Sequence, residues 1–208
     1  MTLYSYIVKH DTGFAPNPFF GYCTLACCKP EIRKAAQKND WIVGLTPKAD
    51  GSGIVYFMQV DEFMTFSEYW RDRRFREKRP QFGAGVDRKV GDNIYKPSKS
   101  GPFQQLSSTH SSPPLGRRES RAAMSKDLSR DRVLISQTFA YFGAQAIPLP
   151  KEFRSFIVGR GHRCHFPSAL IENFVHEFVP KWKLGIHGKP RNLPRTDGPF
   201  KTAGGCEA

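Results

Sequence analysis

The segment HDTGFAPNPFFGYCTLACCKP, residues 10–30, sets two hydrogen-bonding side chains, Asp11 and Asn17, among four rings, Phe14, Phe19, Phe20 and Tyr22. A solvated linker does not carry that apolar load, and its glycines and prolines mark a loop of defined shape. Recognition of a nucleobase asks for this combination, flat faces to stack on and donors and acceptors aimed at the base edge. Stacking on an aromatic ring contributes about 1–3 kcal/mol per base. Taken singly, each phenylalanine has the commoner role of closing a core. Taken together, with Cys23 at the end of the run, they form the first candidate base-binding set.

A second set lies in RDRRFREKR, residues 71–79, where Arg71, Arg73, Arg74, Arg76, Lys78 and Arg79 are interleaved with Phe75 and preceded by Tyr69. Guanidinium groups fork onto phosphates and stack on bases, so this composition suits a nucleic-acid groove. Asp72 and Glu77 partly neutralise it, and a solvated face is the plain alternative. Arg117, Arg118, Arg121 and Lys126 offer a further, flexible phosphate clamp.

The thiols and imidazoles form a third. Cys23, with Asp11 and His10 or His162 near it, is the nucleophile of an alternative, enzymatic reading, since a basic neighbourhood favours a thiolate. Cys23, Cys27, Cys28, Cys164, His162 and His165 include zinc-type donors, which would make a zinc-stabilised binding module a further alternative. However, neither C-x-x-C nor H-x₃₋₅-H spacing is present, and Cys27 and Cys28 are neighbours that do not easily both point inward. No metal and no cofactor are therefore expected, and His162 and His165 are assigned to phosphate.

The charge balance agrees with an anionic partner. Lys and Arg number 32 against 19 Asp and Glu in 208 residues, a formal net charge of +13. Such a surplus attracts polyanions, and each neutralised phosphate releases counterions. The expected partner is nucleic acid, DNA ahead of RNA, or a nucleotide, with base-modification enzymes as companions. No apolar run is long enough to span a bilayer, and MTLYSYIVKHD lacks the plan of a signal peptide. Five cysteines, two of them adjacent, make a poor disulfide framework, so a reducing cytoplasmic setting is expected.

These groups need elements to hold them. Residues 3–8, 41–45, 54–60 and 132–142 are rich in β-branched and aromatic residues and read as strands, with Asp50-Gly51 turning a hairpin between the second and third. Pro30 opens a short helix, Thr65 or Ser67 caps another that stops before Pro80, and GDNIYKP starts a further strand. Leu170, Ile171, Phe174, Val175 and Phe178 make one helical stripe, capped by Ser168 and closed by Pro180. Residues 96–131 are poor in apolar side chains and read as a long flexible insertion, and residues 181–208 as a loosely ordered basic tail after a single domain, residues 1–180.

From residue 4 the stretch YSYIVKHDTGFAPNPFFGYCTLACCKPEIRKAAQKNDWIVGL resembles the opening of the nucleotide modification associated domain 2 family. TFSEYWRDRRFREKRP, GDNIYKP and DRVLISQTFAYFG follow in the family's order, so the resemblance covers residues 4–142. It implies a setting of DNA or RNA modification, phage defence or its evasion, without an established reaction. The element order and the NDWIV entry to the second strand are also similar to the PUA-like superfamily of EVE, YTH and ASCH domains. That likeness implies an α+β fold with an antiparallel β-barrel, flanking helices and an aromatic cage for a modified base. Trp41 and Trp70 would be cage walls, with Asn93 and Tyr95 near the pocket. The expected function is recognition of a modified or flipped-out base or a nucleotide, with the Cys23 enzyme and the zinc-stabilised binding module as the alternatives.

Overall fold

Apolar and aromatic runs at Trp41–Leu45 and Ile54–Gln59 pair antiparallel from Trp41↔Gln59 to Leu45↔Ile54, with a bulge at Gly44/Leu45. Gly44 is needed there, because the Tyr56 ring lies where a Cβ would stand. Around this hairpin the computed structural model describes residues 1–81, 83–108, 110 and 120–193. Along the chain run β1 (Leu3–Ile7), β2 (Cys23–Leu25), α1 (Pro30–Ala35), β3 (Trp41–Leu45), β4 (Ile54–Gln59), β5 (Glu62–Met64), α2 (Phe66–Arg71), α3 (Val86–Lys89), β6 (Tyr95–Lys96), β7 (Gln104–Gln105), α4 (Arg121–Leu128), β8 (Val133–Ser136), β9 (Phe139–Tyr141), β10 (His162–Arg163), α5 (Ser168–Asn173) and β11 (Gly185–Ile186).

The α+β class is as expected, but the barrel is not. The main sheet has six strands in the order β10-β1-β3-β4-β9-β11, beside a three-stranded sheet β2-β8-β5 and the pair β6-β7. β1 runs parallel to β3, in register from Leu3↔Trp41 to Ile7↔Leu45, and β11 runs parallel to β9. A parallel pair needs a crossover, and the aromatic loop, β2 and α1 supply it. Closure would require the two edge strands to pair. Here β10 and β11 are two-residue edges at opposite ends of the sheet, so it stays open.

Both faces of the main sheet are covered. Tyr4, Tyr6, Ile42, Tyr56, Met58 and Tyr141 pack to one side with Leu25, Ile32 and Leu134. Leu3, Trp41, Val43, Leu45 and Phe57 point to the other, where Phe153, Phe156, Phe174 and Phe178 lie. The alternation is the two-residue period of a strand, and double-sided burial explains the nearly continuous apolar runs. The C-terminal stripe is as the spacing predicts, with Ile171, Phe174 and Phe178 buried. Its start differs: Ser168 is the first helical residue, Pro167 holds the cap position without a side-chain bond, and the helix widens into a π turn at Phe174–Phe178.

The cap of α2 is Thr65 rather than Ser67. Its hydroxyl accepts from the Glu68 amide at 3.2 Å, and Glu68 accepts from the Thr65 amide at 2.8 Å. Thr65→Ala should lower the unfolding free energy by about 1 kcal/mol in urea denaturation, whereas Ser67→Ala should leave it unchanged.

Two expectations of looseness meet packed structure. Within residues 96–131, β7 pairs with β6, α4 forms, and Asp127 is buried; Arg117 and Arg118 lie outside the described residues. Of the presumed tail, β11 joins the main sheet, and Gly143, at φ +56°, lies so close to the Lys189 carbonyl that no Cβ fits. Residues 194–208 are outside the description. Among the described residues no helix is long and apolar enough to cross a membrane.

Candidate functional site

The aromatic loop closes on itself where Asn17 and Thr24 exchange backbone hydrogen bonds of 2.9 Å. What holds it in place is Lys78, a member of the arginine-rich segment with no exposed surface at all. Its ammonium donates to the Asn17 carbonyl at 2.9 Å, to Asn17 Oδ1 at 2.5 Å and to the Tyr22 carbonyl at 2.9 Å. Asn17 Nδ2 in turn donates to the Val90 carbonyl at 2.9 Å. Beneath them Asp92 accepts from Thr24 Oγ1 at 2.6 Å and from the Tyr69 hydroxyl at 2.7 Å. Burial pulls Lys78 down to about 8, opposed by the nearby Asp92 charge, and burial raises Asp92, opposed chiefly by Lys78. Asn93 Nδ2 completes the underside by donating to the Tyr69 and Phe75 carbonyls at 3.1 Å.

Outside this buried layer, Arg74 and Arg88 lie against rings of the loop. Phe19 and Phe20 are half-buried, their centroids 6.3 Å apart. Tyr22 meets the edge of Phe75 at 5.1 Å, and the Arg74 guanidinium lies 5.7 Å from its ring. Arg88 covers Phe20 at 5.6 Å. Arg71, Arg73 and Arg76 are exposed and form no ion pair among the described residues. Arg74 is engaged by Glu62 at 2.6 Å and Asp72 at 2.7 Å, while Arg79 donates to the Trp70 carbonyl and lies 3.9 Å over that residue's ring. Three of the predicted phosphate-binding arginines are thus turned outward, and two are spent on neighbours.

A separate cluster joins the turn after β2 to the 96–131 excursion. Cys28 Sγ lies 3.4 Å from His110 Nε2, and a thiol, an imidazole nitrogen and a carboxylate oxygen from Cys28, His110 and Asp127 all fall within 4.8 Å of one another. Cys27 and Cys28 are both buried, against the expectation for neighbours, because Cys28 takes a left-handed φ of +62° that turns the chain. Asp127 receives the Cys28 amide at 2.8 Å and the Tyr95 hydroxyl at 2.8 Å. Fully buried Arg33 ties the same backbones together, donating to the carbonyls of Cys28, Asp127, Arg130 and Arg132 at 2.6–2.9 Å.

The model of the nucleotide modification associated domain 2 family matches residues 1–197. The chain belongs to that family. No curated protein and no solved structure matches it. The match runs beyond the residues that carried the resemblance and takes in both the excursion and β11. It places the chain in a nucleotide-modification context.

The other expected site residues are distributed through this family member's interior and edges. Asp11 is buried and accepts from the Tyr141 hydroxyl at 2.7 Å and the Arg191 amide at 3.1 Å, so it joins the loop to the C-terminal segment. Burial raises its carboxyl despite those bonds. Phe14 is buried and stacks on His110 at 4.7 Å. Trp41 is a core residue against Phe57 and Phe174. Cys23 is fully buried and its thiol is pushed up by burial, which disfavours the thiolate a nucleophile needs. His162, on β10 beside Tyr4, is lowered by burial and by Lys29, and His165 is exposed on the following segment.

Arg33, Asp92 and the Cys28–His110–Asp127 cluster were not singled out from the sequence as a site. Asp92 is adjacent to Asn93 in a motif already noted, and Cys28 stood out as a neighbour of Cys27. Nothing flanking His110 in sequence points to it.

Proposed function

We propose that the chain recognises a base displaced from nucleic acid, or a nucleotide, during nucleotide modification, on the surface where the aromatic loop meets the arginine-rich segment. One observation supports this above the others: Lys78 belongs to the arginine segment and pins the loop through Asn17 and Tyr22, so the segment that carries the rings is fixed to the segment that carries the cations. Phe19, Phe20 and Tyr22 supply stacking faces, and Arg71, Arg73 and Arg76 take phosphates. Asp11 and Asn17 set the shape of the loop from beneath. Flipping a base costs a few kcal/mol, and stacking on one or two rings offsets it. DNA is the favoured target, a modified base the favoured ligand, and base modification or phage defence the setting.

The test is affinity for single-stranded oligonucleotides, plain and modified, at two salt concentrations. Arg73→Glu/Arg76→Glu should weaken binding at least tenfold and reduce the slope of log K against log salt by about 1.4, two phosphate contacts at roughly 0.7 each on a single strand. Phe20→Ala should weaken binding by about 1–3 kcal/mol with the slope unchanged. Undiminished affinity in the charge-reversed protein overturns the reading.

A further inference from the structure

We infer that Cys28, His110 and Asp127 form a binding site for a single divalent transition-metal ion of the zinc type and supply three of its ligands. The inference does not rest on the nucleic-acid reading, and either can fail alone.

The donor set is a thiolate, an imidazole and a carboxylate, the ligand types zinc takes. The spacing fits as well. With Zn–S near 2.3 Å and Zn–N near 2.0–2.1 Å, a tetrahedral angle puts sulfur and nitrogen about 3.5 Å apart. Cys28 Sγ and His110 Nε2 are 3.4 Å apart, and the carboxylate oxygen lies inside the same 4.8 Å envelope.

The surroundings are built as metal surroundings are, with outer groups orienting each ligand. The Cys28 amide donates to Asp127 Oδ1, and the Tyr95 hydroxyl donates to Oδ2 while accepting from Gln105 Nε2 at 3.1 Å. Phe14 stacks on the His110 ring with an interplanar angle of 16°, which fixes its plane. Arg33 bonds the carbonyls of both Cys28 and Asp127 and holds their backbones at a constant separation. Asp127 accepts from the Cys28 amide, the Tyr95 hydroxyl and the Cys27 thiol, and the roughly four lone-pair sites of a carboxylate leave one for an ion.

Among the described residues the cluster offers three ligands, and zinc is completed to four by a further protein group or by water. His110 is half-buried, whereas Cys28 and Asp127 are buried.

The experiment is titration of chelator-stripped full-length protein with Co(II), then with Zn(II). About one Co(II) per chain is expected, with the intense visible bands of four-coordination and a thiolate-to-cobalt charge-transfer band in the near ultraviolet. Cys28→Ser should abolish that charge-transfer band, and His110→Ala should abolish stoichiometric uptake. Tyr95→Phe, which releases Asp127, should weaken binding about 10–100-fold. Cys23→Ser should keep the full spectrum, and circular dichroism shows whether each variant is folded. Substoichiometric uptake by the unaltered protein overturns the inference, and so does a charge-transfer band that survives in folded Cys28→Ser.

Discussion

Arg33→Met should cost about 4 kcal/mol of unfolding free energy, the largest single loss expected among these side chains. Its guanidinium donates to four backbone carbonyls, those of Cys28, Asp127, Arg130 and Arg132, drawn from the turn before α1, the end of α4 and the approach to β8. No carboxylate pairs with it directly among the described residues. Methionine fills similar volume and removes the cost of burying the charge, yet it leaves these carbonyls short of donors. Each unsatisfied buried acceptor costs about 1–3 kcal/mol, so four carbonyls short of donors outweigh the relief of burying no charge. Arg33→Lys should recover only part of the loss, because an ammonium lacks the planar fork that spans the four oxygens. Urea denaturation of the three proteins at neutral pH measures both effects. A loss below about 1 kcal/mol for the methionine variant would show that the three segments hold together without the guanidinium.

The second large effect is a pH dependence set by Lys78. Burial lowers its folded-state value to about 8, against 10.5 in a solvated chain. Between those two values the unfolded chain holds a proton that the folded protein has released, so stability rises with pH across this window. The rise integrates to about 3 kcal/mol, since each unit of difference is 1.36 kcal/mol. It is read as a difference in urea-derived stability between the parent protein and Lys78→Met, from pH 7 to pH 10.5. The parent should gain on the variant as pH increases. Buried groups that titrate upward, the thiols of Cys23 and Cys27 and the hydroxyls of Tyr56 and Tyr69, act in the opposite direction above about pH 9. Cys27, Tyr56 and Tyr69 are present in both proteins and cancel in the difference, whereas Cys23 is coupled to Lys78 and cancels only in part. Asp92 and Cys23 are the charged or ionisable groups facing Lys78, and Asp92 acts in the acid range, where its raised carboxyl takes up a proton earlier on folding. A flat difference across pH 8–10 would mean that water reaches the Lys78 ammonium.

Local pattern determined much of this protein. The runs at Trp41–Leu45 and Ile54–Gln59, the capping Thr65, Pro30 at a helix start and the stripe of Ile171, Phe174 and Phe178 all express near-neighbour chemistry, and each formed the element its residues specify. The motif order was likewise legible, and so was the family. Composition spoke to charge, and three outward arginines bear that charge on the surface.

Pairing and burial were decided elsewhere. The parallel contact of β1 with β3 spans a crossover of more than thirty residues, and no local signal distinguishes it from the antiparallel pairing that a barrel would need. Lys78 and Arg33 look like solvated cations in sequence, yet both are buried because carbonyls from distant segments meet their donors. Cys28 and His110 are separated by 82 residues and are neighbours only because the excursion after β6 folds back over the aromatic loop. A strand or a cap is a matter of a few adjacent residues, and the sequence by itself determined those. A buried cation or a thiol beside an imidazole exists only where distant segments converge, and that convergence belongs to the tertiary structure alone.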